Sequence, residues 1–311
     1  MKEIIKLVSN MEQIMIGKKS IIRRIVIALL VNGHVLIEDV PGVGKTQCVS
    51  ALAKSIDGTF KRIQFTPDVM ASDITGFTMY NPTTGNFEYK EGTAFCNFLL
   101  ADEINRASSK TQSSLLEVME ERQITVDGIT RVLPEPFMVL ATQNPIESKG
   151  TNKLPEAQLD RFIFKLSIGY PSKEGEKEIL NRFVGENPIK KLESVISSEE
   201  IVNMQKKVEE VLVSEEIKEL IVSIVSNTRS SKELDLGVSP RGSIALLRVA
   251  KAIAFINGRD YVIPDDVVEM AKDVLSHRVI VSTSATIKGL RAKDIILNCV
   301  DRALKSTSKV M

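Results

Sequence analysis

Five short runs separated by stretches of helical periodicity constrain this chain more than any other feature. They are Val35-Leu-Ile-Glu38, Lys61-Arg-Ile-Gln64, Phe98-Leu-Leu-Ala-Asp102, Phe137-Met-Val-Leu-Ala-Thr142 and Phe162-Ile-Phe-Lys-Leu166. Continuous runs of this length, spaced by helices, indicate strands buried on both faces of a parallel sheet. Five such strands predict an α/β domain of three layers, helices on either side of the sheet.

After Tyr170-Pro171 the pattern changes. Lys173 to Phe183, Ser198 to Leu212, Glu215 to Arg229, Pro240 to Asn257, Asp265 to Ser276 and Ile287 to Leu304 read as amphipathic helices. Ser197-Ser198-Glu-Glu, Ser214-Glu-Glu and Ser239-Pro240 put a capping hydroxyl ahead of acid or proline, as a first helical turn prefers. No comparable strand signal follows. The expected organisation is an α/β core over residues 1–185 and an all-α lid over 186–311, with Gly185-Glu-Asn-Pro188 as linker.

Two hairpin candidates interrupt the core. Phe77 to Tyr80 and Asn86 to Tyr89 flank Asn81-Pro-Thr-Thr-Gly85, for which a plain loop insertion is the alternative. Gln123 to Val126 and Ile129 to Val132 flank Asp127-Gly128, a strong two-residue turn signal.

Chemistry concentrates at the ends of the strands. Asp39-Val-Pro-Gly-Val-Gly-Lys-Thr46 follows the first strand and opens a helix, the context required of a phosphate-binding loop. Its backbone N–H groups and the helix N-terminus suit phosphate charge. Lys45 is expected to reach the β- and γ-phosphates of ATP, and Thr46 to ligate Mg²⁺. Asp39 stands where the pattern has glycine. Aspartate tolerates a left-handed backbone better than most residues, which keeps the turn feasible. The plain alternative is a chance Gly-Lys-Thr at a helix start.

Asp102 and Glu103 end the Phe98 run. Asp102 is placed to hold Mg²⁺ and Glu103 to polarise an attacking water as general base; solvated acids at a strand end are the alternative. Asn144, in Ala141-Thr-Gln-Asn-Pro145, either orients that water or belongs to a local Asn-Pro turn. Arg161, in Leu159-Asp-Arg-Phe162, is either an arginine finger directed at a neighbouring subunit's γ-phosphate or a salt-bridge partner of a local acid such as Asp160. Arg241 opens a helix after Ser239-Pro240. A cation is poorly placed at a helix N-terminus, which slightly favours an anionic partner over plain solvation.

Together these strings resemble an AAA+ ATPase, and more specifically the MoxR group. Leu36-Ile-Glu-Asp-Val-Pro-Gly-Val-Gly-Lys-Thr46 resembles the Walker A motif, Leu100-Ala-Asp-Glu-Ile-Asn-Arg-Ala107 the Walker B, and Ala141-Thr-Gln-Asn-Pro145 sensor 1. Leu154-Pro-Glu-Ala-Gln-Leu-Asp-Arg-Phe162 resembles the arginine-finger segment and Ser239-Pro-Arg241 sensor 2. The resemblance spans nearly the whole chain. It implies nucleotide contacts from Pro41, Gly42, Val43, Gly44, Lys45, Thr46 and Gln47, with Ile16-Gly17-Lys18 lining the adenine pocket. It places the hairpins where this branch carries its helix-2 and pre-sensor-1 inserts. It also implies a hexameric homo-oligomer and a chaperone-like role with a von Willebrand factor A domain protein on a client protein complex, often in metal or cofactor insertion.

Composition narrows the alternatives. There are 41 Lys and Arg against 40 Asp and Glu, a net charge of +1. Nucleic-acid and acidic-lipid binders usually show a basic excess. The hairpins are neutral as well: Phe77 to Lys90 carries only Glu88 and Lys90, and Gln123 to Leu133 only Asp127 and Arg131. That argues against a DNA-tracking motor, whose strand-tracking elements need cations against phosphates. Glu103 argues against a scaffold without turnover. The longest apolar stretch, Ile25 to Val31, is far too short to span a bilayer. No signal-peptide pattern is visible, and Cys48, Cys96 and Cys299 form no disulfide or metal framework. A reducing cytoplasm is the expected compartment. Cys48 lies where a helix N-terminus can activate a thiol, but a packed small side chain is the preferred reading. His34 and His277 are read as structural.

Overall fold

The computed structural model describes residues 2–40, 42–145, 152, 154–183 and 188–307. In chain order the elements are α1 (Lys2–Glu12), α2 (Lys19–Leu30), β1 (Val35–Glu38), α3 (Lys45–Ile56), β2 (Phe60–Gln64), α4 (Ala71–Thr75), β3 (Phe77–Asn81), β4 (Asn86–Lys90), β5 (Phe98–Asp102), α5 (Ser109–Glu121), β6 (Gln123–Val126), β7 (Ile129–Val132), β8 (Met138–Gln143), α6 (Glu156–Leu159), β9 (Phe164–Leu166), α7 (Lys173–Phe183), α8 (Ser198–Glu210), α9 (Glu215–Arg229), β10 (Leu234–Leu236), α10 (Pro240–Ile256), α11 (Pro264–Leu275), β11 (Ile280–Val281), α12 (Thr283–Ile287) and α13 (Ala292–Thr307). The chain divides into two compact units, one of Lys2–Leu154 with Leu166–Asn203, the other of Pro155–Lys165 with Met204–Met311. Of the expected linker at Gly185-Glu-Asn-Pro188, residues 185–187 lie outside the described residues.

The first unit is the α/β core. Its sheet has the order β2-β5-β8-β1-β9, and β2 with β5, β5 with β8, and β8 with β1 pair in parallel. Burial follows position in that order. Residues 98–101 of β5 and 138–142 of β8 are buried throughout, as expected of strands covered on both faces. β2 departs from the expectation of a strand buried on both sides: of its five residues only Ile63 is buried. It is the edge strand, so Arg62 and Gln64 turn outward and remain available for chemistry.

The hairpins form. β3 pairs antiparallel with β4, and β6 with β7. Asp127 and Gly128 both have positive φ, 54° and 75°, the conformation of the tight turn that matches strand twist. At the root of the first hairpin, a Cβ on Gly92 would collide with the Ile74 carbonyl, so only glycine permits that approach. The guanidinium of Arg131 lies 3.7 Å from the centroid of the Tyr89 ring, joining the two hairpins by a cation–π contact.

The second unit is mainly helical. α9, α10, α11 and α13 pack on one another through residues such as Leu220, Ile224, Val249, Ile253, Val274 and Ile296, all under 3% exposed; burying each such side chain contributes about 1.5–3 kcal/mol. Two details differ from expectation. β10 and β11 form a small antiparallel pair where no strand was expected. The helix expected from Ile287 to Leu304 begins later, at Ala292, as α13; Ile287 is instead the last residue of a separate short helix, α12. Gly289, at φ +76°, ends α12, with Leu290 N–H on the Ala285 carbonyl and Gly289 N–H on that of Thr286. This is a glycine-terminated helix end, which amphipathic periodicity passes over.

Candidate functional site

The loop before α3 turns on two glycines, Gly42 at φ +85° and Gly44 at φ +89°. Both conformations strain any other residue. The turn leaves the N-terminal N–H groups of α3 open to an anion. Lys45 opens the helix, and its Nζ donates to the Asp39 carbonyl at 2.6 Å. Burial lowers the Lys45 pKa, while Asp102, Asp39 and Glu103, in that order, pull it back up. These acids therefore share one electrostatic neighbourhood with the ammonium. Thr46 follows in the first turn, and Pro41 lies outside the described residues. Asp39 is not among the described residues with positive φ. The left-handed tolerance expected to explain it is not used; its carboxylate has other work, described below.

The β5 acids are held from three sides. Thr142 Oγ1, at the end of β8, donates to Asp102 Oδ1 at 2.5 Å and accepts the Glu103 N–H at 2.9 Å. The register of β2 on β5 sets Gln64 opposite Asp102. From that edge Arg62 reaches Asp102 Oδ2 at 2.6 Å and Gln64 reaches Glu103 Oε2 at 2.8 Å. Arg106 pairs with Glu103 Oε2 at 3.0 Å. Glu103 adopts φ +58°, a left-handed conformation that costs about 1–3 kcal/mol and is typical of functional positions. Asn144, just past β8, is buried; its neighbour Gln143 donates to Glu38 at 2.6 Å. The Thr46 hydroxyl and the Asp102 carboxylate are hard oxygen donors, which fit Mg²⁺. A carboxylate beside that pair fits proton acceptance from water.

A cavity of about 400 Å³ adjoins the loop, within the usual range for a small-molecule site. Gly42, Val43, Gly44 and Gln47 line it with Ile16, Tyr170, Ile179 and Leu180, and the charged residues Lys18, Glu176 and Arg182 also border it. Gly17 is not part of the lining; at φ +69° it makes the turn between Ile16 and Lys18.

Arg161 and Arg241 both belong to the second unit. Ser239 caps α10, accepting from Gly242 N–H at 3.3 Å and donating to Asp160 Oδ2 at 2.6 Å. Arg241 is exposed in the first turn that follows. The Asp160 carboxylate is ion-paired to Arg278. The Arg278 guanidinium, 1% exposed, also donates to the backbone carbonyls of Asp160 at 2.6 Å, Phe162 at 2.7 Å and Val274 at 2.9 Å. His277 Nε2 lies 3.0 Å from the Phe162 carbonyl. Burial, with Arg278 next, pushes its pKa down to about 3. The residues on either side of Arg161 are thus fixed by α11 and the turn after it.

Sequence reasoning passed over Arg62, Gln64, Thr142 and Arg278. The first three lie within strands, where their polarity next to apolar neighbours was the available signal. Arg278 gave none, because its partner is more than a hundred residues away. The bland readings hold for the rest. His34 Nδ1 accepts from Val139 N–H and Nε2 meets the Met119 carbonyl, both at 2.9 Å. Cys48 is fully buried, and burial pushes its thiol up to about 12, which removes the thiolate a redox sensor needs. Among the described residues no cluster of three His, Cys, Asp or Glu side chains could hold a metal ion.

Comparison with known proteins agrees with this geometry. The model of the ATPase family associated with various cellular activities (AAA) matches residues 34–164, and the AAA lid domain model matches 226–298. The chain is 52% identical to the uncharacterised protein YeaC of Bacillus subtilis over 94% of this chain and 91% of that one. It is 41% identical to Chaperone MoxR1 of Mycobacterium tuberculosis over 94% of this chain and 79% of that one. The crystal structure of a candidate ATPase from Cytophaga hutchinsonii, 40% identical, superposes with a TM-score of 0.89 over 96% of this chain and 94% of that one. Identity at this level across nearly the full length, with both domain models in order, means that the chain belongs to the MoxR group of AAA+ ATPases.

Proposed function

We propose that this ATPase works as a magnesium-dependent hexameric ring in the cytoplasm, with a chaperone-like role in remodelling or maturing a client protein complex. A von Willebrand factor A domain protein is the proposed partner, and metal or cofactor insertion the proposed outcome. The catalytic part is supported by the loop turned on Gly42 and Gly44 ahead of Lys45 and by Asp102 and Glu103 held together on Thr142 at the end of the same parallel sheet. Lys45 binds the β- and γ-phosphates. Thr46 and Asp102 hold Mg²⁺, which supplies charge neutralisation on the phosphates. Glu103 takes the proton of the attacking water. Asn144 orients that water, and the cavity beside Ile16 and Gln47 takes the base. The chaperone-like part is supported by the resemblance to Chaperone MoxR1. Among the described residues no helix is long and apolar enough to cross a membrane.

Arg161 acts on the neighbouring subunit's γ-phosphate, and Arg241 couples the lid to nucleotide state. A finger of this kind is worth ~10³ to 10⁵ in rate. Lys45→Ala removes a subunit's own phosphate contact, whereas Arg161→Ala disables the adjacent site. Each variant alone is expected to be nearly inactive. Mixing them under subunit exchange should restore part of the activity, because some interfaces then combine an intact loop with an intact arginine. Verified mixed rings without recovery would overturn the assignment in trans.

A further inference from the structure

Asp39, the residue that departs from the usual phosphate-loop pattern, is buried, and its carboxylate bonds the segment that follows β9. One oxygen, Oδ2, accepts from the backbone N–H of Ile168, from that of Gly169 at 3.0 Å and from Ser167 Oγ at 3.2 Å. The carbonyls of the same segment meet a cation. Lys18 Nζ donates to those of Ile168 at 2.6 Å, Gly169 at 3.0 Å and Tyr170 at 2.9 Å. Residues 167–170 are irregular backbone between β9 and α7, where peptide groups lack the regular partners of helix or sheet. Here an anion takes the donors and a cation takes the acceptors. Charge-assisted bonds of this kind are shorter and stronger than neutral ones. Gly169, Tyr170 and Pro171 line the cavity together with Lys18, Gly44 and Gln47. Asp39 is also tied to the phosphate loop, since its own carbonyl holds Lys45.

We propose that Asp39 and Lys18 are positioning residues for the nucleotide base: they clamp residues 167–170 between opposite charges and so fix the wall against which the base packs. The proposal rests on reading the cavity as the nucleotide site. It makes Asp39 a replacement with a task. The wall is registered to the loop that binds the phosphates, so base and phosphate subsites stay at a fixed spacing. A clamp on the wall contributes to binding of a nucleotide but not of a ligand consisting of phosphates alone.

That difference supplies the test. Binding of ATP and of inorganic tripolyphosphate, each with Mg²⁺, is measured by calorimetry on the full chain and on Asp39→Ala, Lys18→Met, the double variant and Asp39→Asn. Each single change to Ala or Met is expected to weaken ATP ~10-fold or more, about the worth of one strong charge-assisted hydrogen bond. Tripolyphosphate should stay within about threefold of the wild type. The double variant should be little worse than the weaker single, because both residues hold one segment. Asp39→Asn keeps an oxygen acceptor and should recover part of the loss. Unchanged ATP affinity overturns the proposal. Equal loss of both ligands also overturns it, since the phosphate loop itself would then be the part disturbed, as do fully additive losses. If Asp39→Ala does not fold, Lys18→Met decides by the same two ligands. A wild-type chain that binds neither ligand would instead sink the nucleotide-site reading.

Discussion

Asp102 in the α/β unit and Asp160 in the helical unit have nearly the same partners and opposite fates. Each receives one hydroxyl, from Thr142 at 2.5 Å or Ser239 at 2.6 Å. Each pairs with one arginine, Arg62 or Arg278. The two carboxylates are equally sheltered, at 14% exposure. The arginines are not: Arg62 is 46% exposed and Arg278 1%. Arg278 also donates to three backbone carbonyls, whereas Arg62 donates besides to the exposed side chain of Gln64 at 2.7 Å. An exposed arginine returns to water at little cost, so Asp102 can hand an oxygen to a metal. A buried one cannot leave, so Asp160 is part of the scaffold.

Breaking the closed pair should have the largest effect. Arg278→Ala leaves the Asp160 carboxylate without its buried partner, and removing one member of such a pair costs about 3–5 kcal/mol. Denaturant unfolding should show that loss in the helical unit. A change under 1 kcal/mol would erase the contrast between the two aspartates. At the open site the loss should fall on rate instead. Glu103→Gln is expected to keep ATP affinity and lower turnover ~10²-fold or more, the usual scale for a lost general base. Near-normal hydrolysis would remove Glu103 from that role.

The pH response should separate the regions further. Burial disfavours the charged form of His277 and pushes its pKa down from the ordinary 6.5 to about 3. Its contribution to stability is therefore complete above pH 6.5 and is lost as pH falls toward 3, where the unfolded chain binds the extra proton. The slope from this one group is at most about 1.4 kcal/mol per pH unit. His277→Gln should flatten the stability profile in that window; an unchanged slope would contradict the neutral assignment. The smallest effect is expected at Arg62. Arg62→Ala should change stability by about 0–1 kcal/mol, as for an exposed pair. It should also lower the Mg²⁺ concentration giving half-maximal ATPase, by freeing Asp102 Oδ2. A higher Mg²⁺ requirement would show that Arg62 helps the metal site rather than competing with it.

How much of this was legible follows from the range of each interaction. Runs of alternation and helical period act over a few residues, so the five strands, both hairpins and most helices could be read along the chain. The break at Gly289 was missed because an amphipathic pattern continues across it. β2 was read as buried because its place at the sheet edge depends on strand order, which local pattern does not carry. The loop around Gly42, Gly44 and Lys45 was legible for a covalent reason: turn, helix start and cation must occur in fixed succession. Asp102 and Glu103 likewise announce themselves as acids ending an apolar strand.

Sequence alone determined the family, the phosphate loop and the identity of the acids, because each depends on residues adjacent in the chain. Tertiary structure decided which of them share a site and what holds them there. Thr142, Arg62 and Gln64 reach the acids only through the register and order of parallel strands. Asp39 and Lys18 meet on a segment about 130 and 150 residues further along the chain. Arg278 is bound to Asp160 across 118 positions. No periodicity records such pairings. They exist because burying the apolar faces brings distant polar groups together out of water, where each must find a partner.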